Sequence, residues 1–239
     1  MSNRDKLIVA LDVADLGAAE KLVAKLAPYV GMFKVGLELY TAAGPAAVHM
    51  IKERGGRVFA DLKLHDIPNT VARAARALVR HGVDMLNVHA AGGSQMLRAA
   101  VEAVKDEADG QGRRAPLLIA VTVLTSLDEA GLREEVGVRR GLVEQVVFWA
   151  RLARECGLDG VVASALELEA IRRACGPDWV IVTPGIRPQG SRSDDQSRVL
   201  TPGEAVRRGA SYLVVGRPVT SAPDPVEAAV SILGEMGAT

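Results

Sequence analysis

Residues 58–63 read Val58-Phe59-Ala60-Asp61-Leu62-Lys63, a short apolar run broken by two opposite charges. Side chains alternate along a strand, so Phe59, Asp61 and Lys63 share one face. If the strand is covered by helices on its outside, an Asp and a Lys on that side would meet an apolar helix, which is costly. The inside of a closed barrel, near the mouth where the strands end, accommodates them better. This one strand therefore asks for an architecture with a second, polar place to point.

The rest of the chain supplies that architecture. Seven further short runs rich in Val, Ile and Leu, at 7–12, 32–37, 84–89, 117–123, 159–163, 180–183 and 212–216, are nearly continuous in hydrophobicity. Strands covered on both faces look like this. Between them lie amphipathic helical patterns. Leu16, Ala19, Leu22, Val23 and Leu26 recur at helical spacing, as do Val71, Ala74, Ala75 and Leu78 after Asn69, a predicted N-cap. Later helices are predicted at 94–108, 142–156, 165–175, 202–209 and 224–236. Gly82, Gly157, Gly176 and Gly209 follow helices, and Pro202 and Pro225 fall in first turns. Eight strand–helix alternations in 239 residues predict an α/β fold, a TIM (β/α)8 barrel formed as a single domain over residues 1–239. An open doubly wound sheet ranks second, because no G-x-G-x-x-G follows the first strand.

Composition narrows the function. Basic and acidic residues balance at 29 each, and the arginine pairs are scattered, so no nucleic-acid partner is expected. No run is long enough to span a membrane, and the apolar stretch near the start is interrupted by Asp12. Cys156 and Cys175 form no C-x-x-C pair and read as free thiols of a reducing, cytoplasmic compartment.

Other charges join the third strand. Asp12 lies in line with Ile8 and Ala10, Lys34 interrupts MFKVG, and Asp66 follows in LHDIPNT. A structural ion-pair network accounts for Asp61 and Lys63 alone as well as catalysis does. With Lys34, Asp12 and Asp66 added, the set points to a catalytic site. No metal is expected: the lysines already balance the carboxylates, and His65 has no partner at ligand spacing. His49 and His81 read as ordinary helix residues, while His89 is a supporting or a structural residue with equal weight. Phosphate sites of TIM barrels often use the loops after strands seven and eight. Here an arginine follows each, Arg187 in TPGIR and Arg217 in VGRP, with Gly216 beside the second. The segment 185–200 is long, polar and placed for function.

ADLKLHDIPNT at 60–70 resembles the D-x-K-x-x-D signature of orotidine 5′-monophosphate decarboxylases, in the bacterial branch. LIVALDV, FKVGLELY, VTVLTS, VTPGIRPQG and VVGRPV are similar to further stretches of that family, in order along almost the whole chain. The resemblance implies a cofactor-free decarboxylase of orotidine 5′-monophosphate. Lys63 would be the proton donor, with Asp61 beside the substrate carboxylate between Lys34 and Lys63. Asp12 and Lys34 would hold the ribose and Thr125 the pyrimidine. Arg187, Gln196, Gly216 and Arg217 would hold the phosphate, Gln189 lying in the same loop as Gln196. Asp66 and Thr70 would complete the neighbouring site of a homodimer. Two rivals share the barrel: a metal-dependent sugar-phosphate lyase or aldolase, and a non-catalytic barrel that binds a phosphometabolite.

Overall fold

The computed structural model describes residues 1–188 and 200–237. Among them, β1 (Leu7–Ala10), β2 (Met32–Val35), β3 (Val58–Leu64), β4 (Met85–His89), β5 (Leu117–Val121), β6 (Gly160–Val162), β7 (Val180–Thr183) and β8 (Tyr212–Val215) run parallel in chain order. β8 returns to pair with β1, Leu213 opposite Leu7, and the sheet closes into a barrel. Closure leaves no strand edge free to pair with another chain. The expected (β/α)8 architecture is the one found.

Alternation along each strand divides the core in two. Ile8, Ala10, Met32, Phe59, Met85, Ile119, Val182 and Val214 fill the barrel interior. Their sequence neighbours, among them Leu7, Val9, Phe33, Val35, Val58, Ala60, Leu86 and Val88, face the helical jacket. Each large apolar side chain fully buried in this way contributes roughly 1.5–3 kcal/mol. The strands approach closely where side chains are small. A Cβ on Gly160 would stand 2.2 Å from the carbonyl oxygen of Val180, so β6 lies against β7 only because residue 160 has none.

Helix ends follow local chemistry. Asp15 accepts from the Ala18 N–H and starts Leu16–Leu26. Thr201 and Glu204 form a reciprocal capping box ahead of Pro202–Arg207, with Pro202 in the first turn as expected. Pro225 likewise opens Pro225–Gly237. Gly176 ends Leu168–Cys175 with φ 89°, and Gly82, Gly157 and Gly209 also take positive φ. One expectation is corrected. Asn69 is not an N-cap: Pro68 begins the helix Pro68–Arg80, no side chain caps it, and Asn69 is its second residue. The ring of proline supplies a helical φ and removes an N–H that would otherwise need a partner. The helices Leu37–Ala43 and Ala46–Glu53, divided at Gly44–Pro45, and the short Glu129–Glu134 were not foreseen. No helix among the described residues is long and apolar enough to cross a membrane.

Several strands end earlier than their apolar runs. β1 stops at Ala10, β2 at Val35 and β5 at Val121. The residues beyond them leave the ladder at one end of the barrel, and these segments shape the site.

Candidate active site

A cavity of about 560 Å³ opens where the strands end. Ala10, Phe59, Val121, Val162, Val182 and Val214 give it an apolar base, continuous with the barrel core. Asp12, Lys34, Asp61, Lys63, Thr125, Arg187, Gly216 and Arg217 also line it. Eight of the residues singled out in the sequence, drawn from six different strand–loop junctions, thus converge on one space. The volume suits a small organic ligand of nucleotide size.

One side carries a chain of alternating charges. Lys34 Nζ lies 3.0 Å from Asp12 Oδ1 and 3.2 Å from Asp61 Oδ2. Lys63 Nζ donates to Asp61 Oδ1 at 2.8 Å. Lys34 and Asp61 are buried, Lys63 is half-buried and Asp12 is exposed. Removing such groups from water costs several kcal/mol per ion unless partners compensate. Here they do. Burial by itself would raise the Asp61 carboxyl, but Lys34 and Lys63, with the hydrogen bonds from Lys63 and Asn87, hold it below the ordinary 3.8. Burial would likewise lower the Lys34 ammonium, yet Asp61 and Asp12 carry it above 10.5. Both shifts favour the ionised forms, so Lys34 is held as an ammonium and Asp61 as a carboxylate at neutral pH. A Cβ on Gly36 would lie 2.9 Å from Lys34 Nζ and 3.1 Å from Asp12 Oδ1, so this pair packs against bare backbone.

β3 reaches this arrangement irregularly. Ala60 pairs with Leu86 but Leu64 pairs with Val88, so four steps along β3 match two along β4. Lys63 sits in the resulting bulge with φ 51°, the one non-glycine residue with positive φ among those described. Simple alternation predicted that Asp61 and Lys63 share a face. They do meet, but through a bulge that alternation does not contain.

The wall after β7 and β8 is cationic. Arg187, after β7, and Gly216 and Arg217, after β8, border the cavity with Gly185. Among the described residues beyond its chain neighbours, a Cβ on Gly216 would meet no atom closer than 3.6 Å, so packing does not demand a glycine there. The Arg187 N–H donates to Leu200 O at 3.0 Å, and Ile186 bridges to Leu200, which ties together the two ends of the 185–200 segment. Gln196 and Gln189 lie outside the described residues.

Other expected residues stand apart. Asp66 and Thr70 are exposed and do not border the cavity of their own chain. Asp66 Oδ1 accepts from the Ile67 N–H at 2.6 Å, and Lys63 turns to Asp61 instead. His89 is half-buried, its ring centroid 5.3 Å from that of His65. Burial, then His65 and Lys63, push its pKa below 6.5. Asn87 and Glu38 escaped the sequence reading, yet Asn87 hydrogen-bonds Asp61 and Glu38 borders the cavity. The signal for Asn87 was present: a polar residue in an apolar strand, in phase with Met85. Cys156 and Cys175 are free and buried. Among the described residues no group of three or more His, Cys, Asp or Glu is placed to hold a metal ion.

Comparison with known proteins agrees with this geometry. Residues 5–232 match the model of the orotidine 5′-phosphate decarboxylase / HUMPS family. The chain is 70% identical to orotidine 5′-phosphate decarboxylase of Moorella thermoacetica, over 99% of this chain and 94% of that one. It is 54% identical to the enzyme of that name from Syntrophomonas wolfei, over 99% of both. The crystal structure of orotidine 5′-phosphate decarboxylase from Lactobacillus acidophilus superposes with a TM-score of 0.86 at 40% identity, covering 97% of this chain and 99% of that one. A full-length match to the family model, high identity and the same closed barrel lead to one conclusion: the chain belongs to the orotidine 5′-phosphate decarboxylase / HUMPS family.

Proposed function

We propose that this chain, acting as a single cytoplasmic domain, converts orotidine 5′-monophosphate to uridine 5′-monophosphate and CO2, the last step of de novo synthesis of that nucleotide. The observation that carries the reading is the Lys34–Asp61–Lys63 chain of ion pairs at the barrel mouth, with two arginines lining the same cavity. The breaking bond joins C6 of the pyrimidine to its carboxylate. Its electron pair stays on C6, which has no adjacent electron sink. The Lys63 ammonium is the group to stabilise that charge and then deliver a proton to C6, taking a replacement proton from solvent. Asp61 keeps Lys63 aimed. Fixed charges suffice for these steps, and the reading requires no metal or cofactor.

The remaining roles are those the family resemblance implies. Asp12 and Lys34 hold the ribose hydroxyls and Thr125 the pyrimidine. Arg187, Gln196, Gly216 and Arg217 hold the phosphate, far from C6, where binding energy can offset the cost of ordering the reacting groups. Asp66 and Thr70 serve the site of a second copy in a homodimer. Their exposure directly after β3, beside an Ile67 that is 67% exposed, supports this. The free thiols of Cys156 and Cys175 suit a reducing compartment.

Loss of orotate absorbance, followed with and without chelator, tests the activity. Turnover should be unaffected by chelator, and Lys63→Ala should reduce kcat by at least about 10⁴-fold, as expected when the group acting on the reacting atom is lost. Chelator-sensitive turnover would favour the aldolase-type rival. Binding of uridine 5′-monophosphate with no turnover would favour the non-catalytic one.

A further inference from the structure

Asn87 lies fully buried at the centre of β4, opposite the β3 bulge. Met85, two residues earlier, points into the barrel interior, and Asn87 is in phase with it. Its amide makes two hydrogen bonds, both to residues of the bulge. Nδ2 donates to Asp61 Oδ1 at 2.7 Å, and Oδ1 accepts the backbone N–H of Lys63 at 2.8 Å. The amide has one workable orientation. A carboxylate only accepts and a backbone N–H only donates, so a flipped amide would oppose like poles at both ends.

The bulge creates the need for this residue. It withdraws Lys63 from regular pairing and puts its backbone in the left-handed region, which a non-glycine residue adopts only when its surroundings enforce it. Lys63 is thus gripped at two points: its N–H by the Asn87 carbonyl, and its ammonium by Asp61, whose Oδ1 also receives the Asn87 NH2. Leu, Val or Met at this position would fill the space but remove the partner of the Lys63 N–H and leave Asp61 Oδ1 to the Lys63 ammonium alone.

We infer that Asn87 is the positioning residue of the decarboxylation site, one amide that fixes the left-handed backbone of Lys63 and the carboxylate that aims its ammonium. The inference rests on the function proposed above and adds a residue to it. Asn87 does not line the cavity, so it acts on kcat through Lys63 and leaves the phosphate contacts after β7 and β8 intact.

Two variants test it beside the wild type. Asn87→Ala should lower kcat by about 100-fold while KM moves less than about threefold, the pattern of a misplaced reacting group. Asn87→Asp keeps the shape. Ionised, it sets a second carboxylate against Asp61; protonated, it restores both hydrogen bonds. The groups around it are Asp61 and Lys63 from β3, Lys34 from β2 beyond Asp61, and the paired rings of His89 and His65. Burial and Asp61 favour the protonated form. The kcat of Asn87→Asp should therefore rise as pH falls from 8 to 5, over a range where the wild type gains nothing. If Asn87→Ala does not fold, the Asn87→Asp profile decides alone. An Asn87→Ala kcat within threefold of wild type, or an Asn87→Asp profile parallel to wild type, overturns the inference. Wild-type enzyme that leaves orotidine 5′-monophosphate unchanged overturns the proposed function instead.

Discussion

At the scale of single residues, the site depends on charges held close by what is absent as well as by what is present. Gly36 is the plainest case. Lys34 and Asp12 pair across the space its missing side chain leaves, and a Cβ there would intrude on the Lys34 ammonium. The tip of a lysine is mobile, so Gly36→Ala should fold normally. The displaced ammonium should nonetheless reduce kcat/KM by about 10- to 100-fold, the usual consequence of misplacing a site group by an ångström or less. Steady-state kinetics with a thermal melt checks this, and unchanged kinetics would show that Lys34 has slack. Asp61 and Lys63 were legible in the sequence because a charge stands out in an apolar run. Asn87 was not singled out, because a lone amide in a strand is a weaker signal and its meaning depends on a bulge in the neighbouring strand.

At the scale of elements, hydrophobic periodicity located all eight strands and the principal helices. It misjudged ends, because β1, β2 and β5 leave the ladder before their apolar runs finish. It also missed Leu37–Ala43 and Ala46–Glu53, two short helices packed in the connection from β2 to β3. Strand-to-strand spacing is a property of this scale. Gly160→Ala would drive a methyl group into the backbone of Val180, a neighbour that cannot rotate away. The two strands must separate, and stability should fall by about 1–3 kcal/mol, as for other overpacked cores. Urea unfolding measures it. A loss below about 0.5 kcal/mol, the range of a neutral surface change, would mean that β6 shifts freely against β7.

At the scale of the whole molecule, closure of the sheet gathers side chains that are far apart in sequence. Asp12 and Arg217 are separated by most of the chain yet border one cavity, because β8 pairs with β1. Asp66 and Thr70 do not join them, and the homodimer reading assigns these two to a second copy. Mixing makes a test. Lys63→Ala and Asp66→Asn should each be nearly inactive alone. Refolded together at equal concentration, they should yield about half heterodimers with one complete site each, and so regain about a quarter of wild-type activity under random two-fold assortment. No recovery, or a fully active Asp66→Asn enzyme, would show that each barrel works unaided.

The sequence by itself determined the class of fold, since eight apolar runs alternating with amphipathic helices leave few ways to bury both faces of every strand. It also named most of the polar part of the cavity wall, since charges and glycines at strand ends break a local pattern visible within a few residues. Only the tertiary structure decided how those residues meet: the bulge that turns Lys63 toward Asp61, the bare backbone that admits Lys34, and the amide that holds both ends of the β3 turn. These are distances between separate strands. Local periodicity carries no information about them, because they are set by register and closure, which all eight strands determine together.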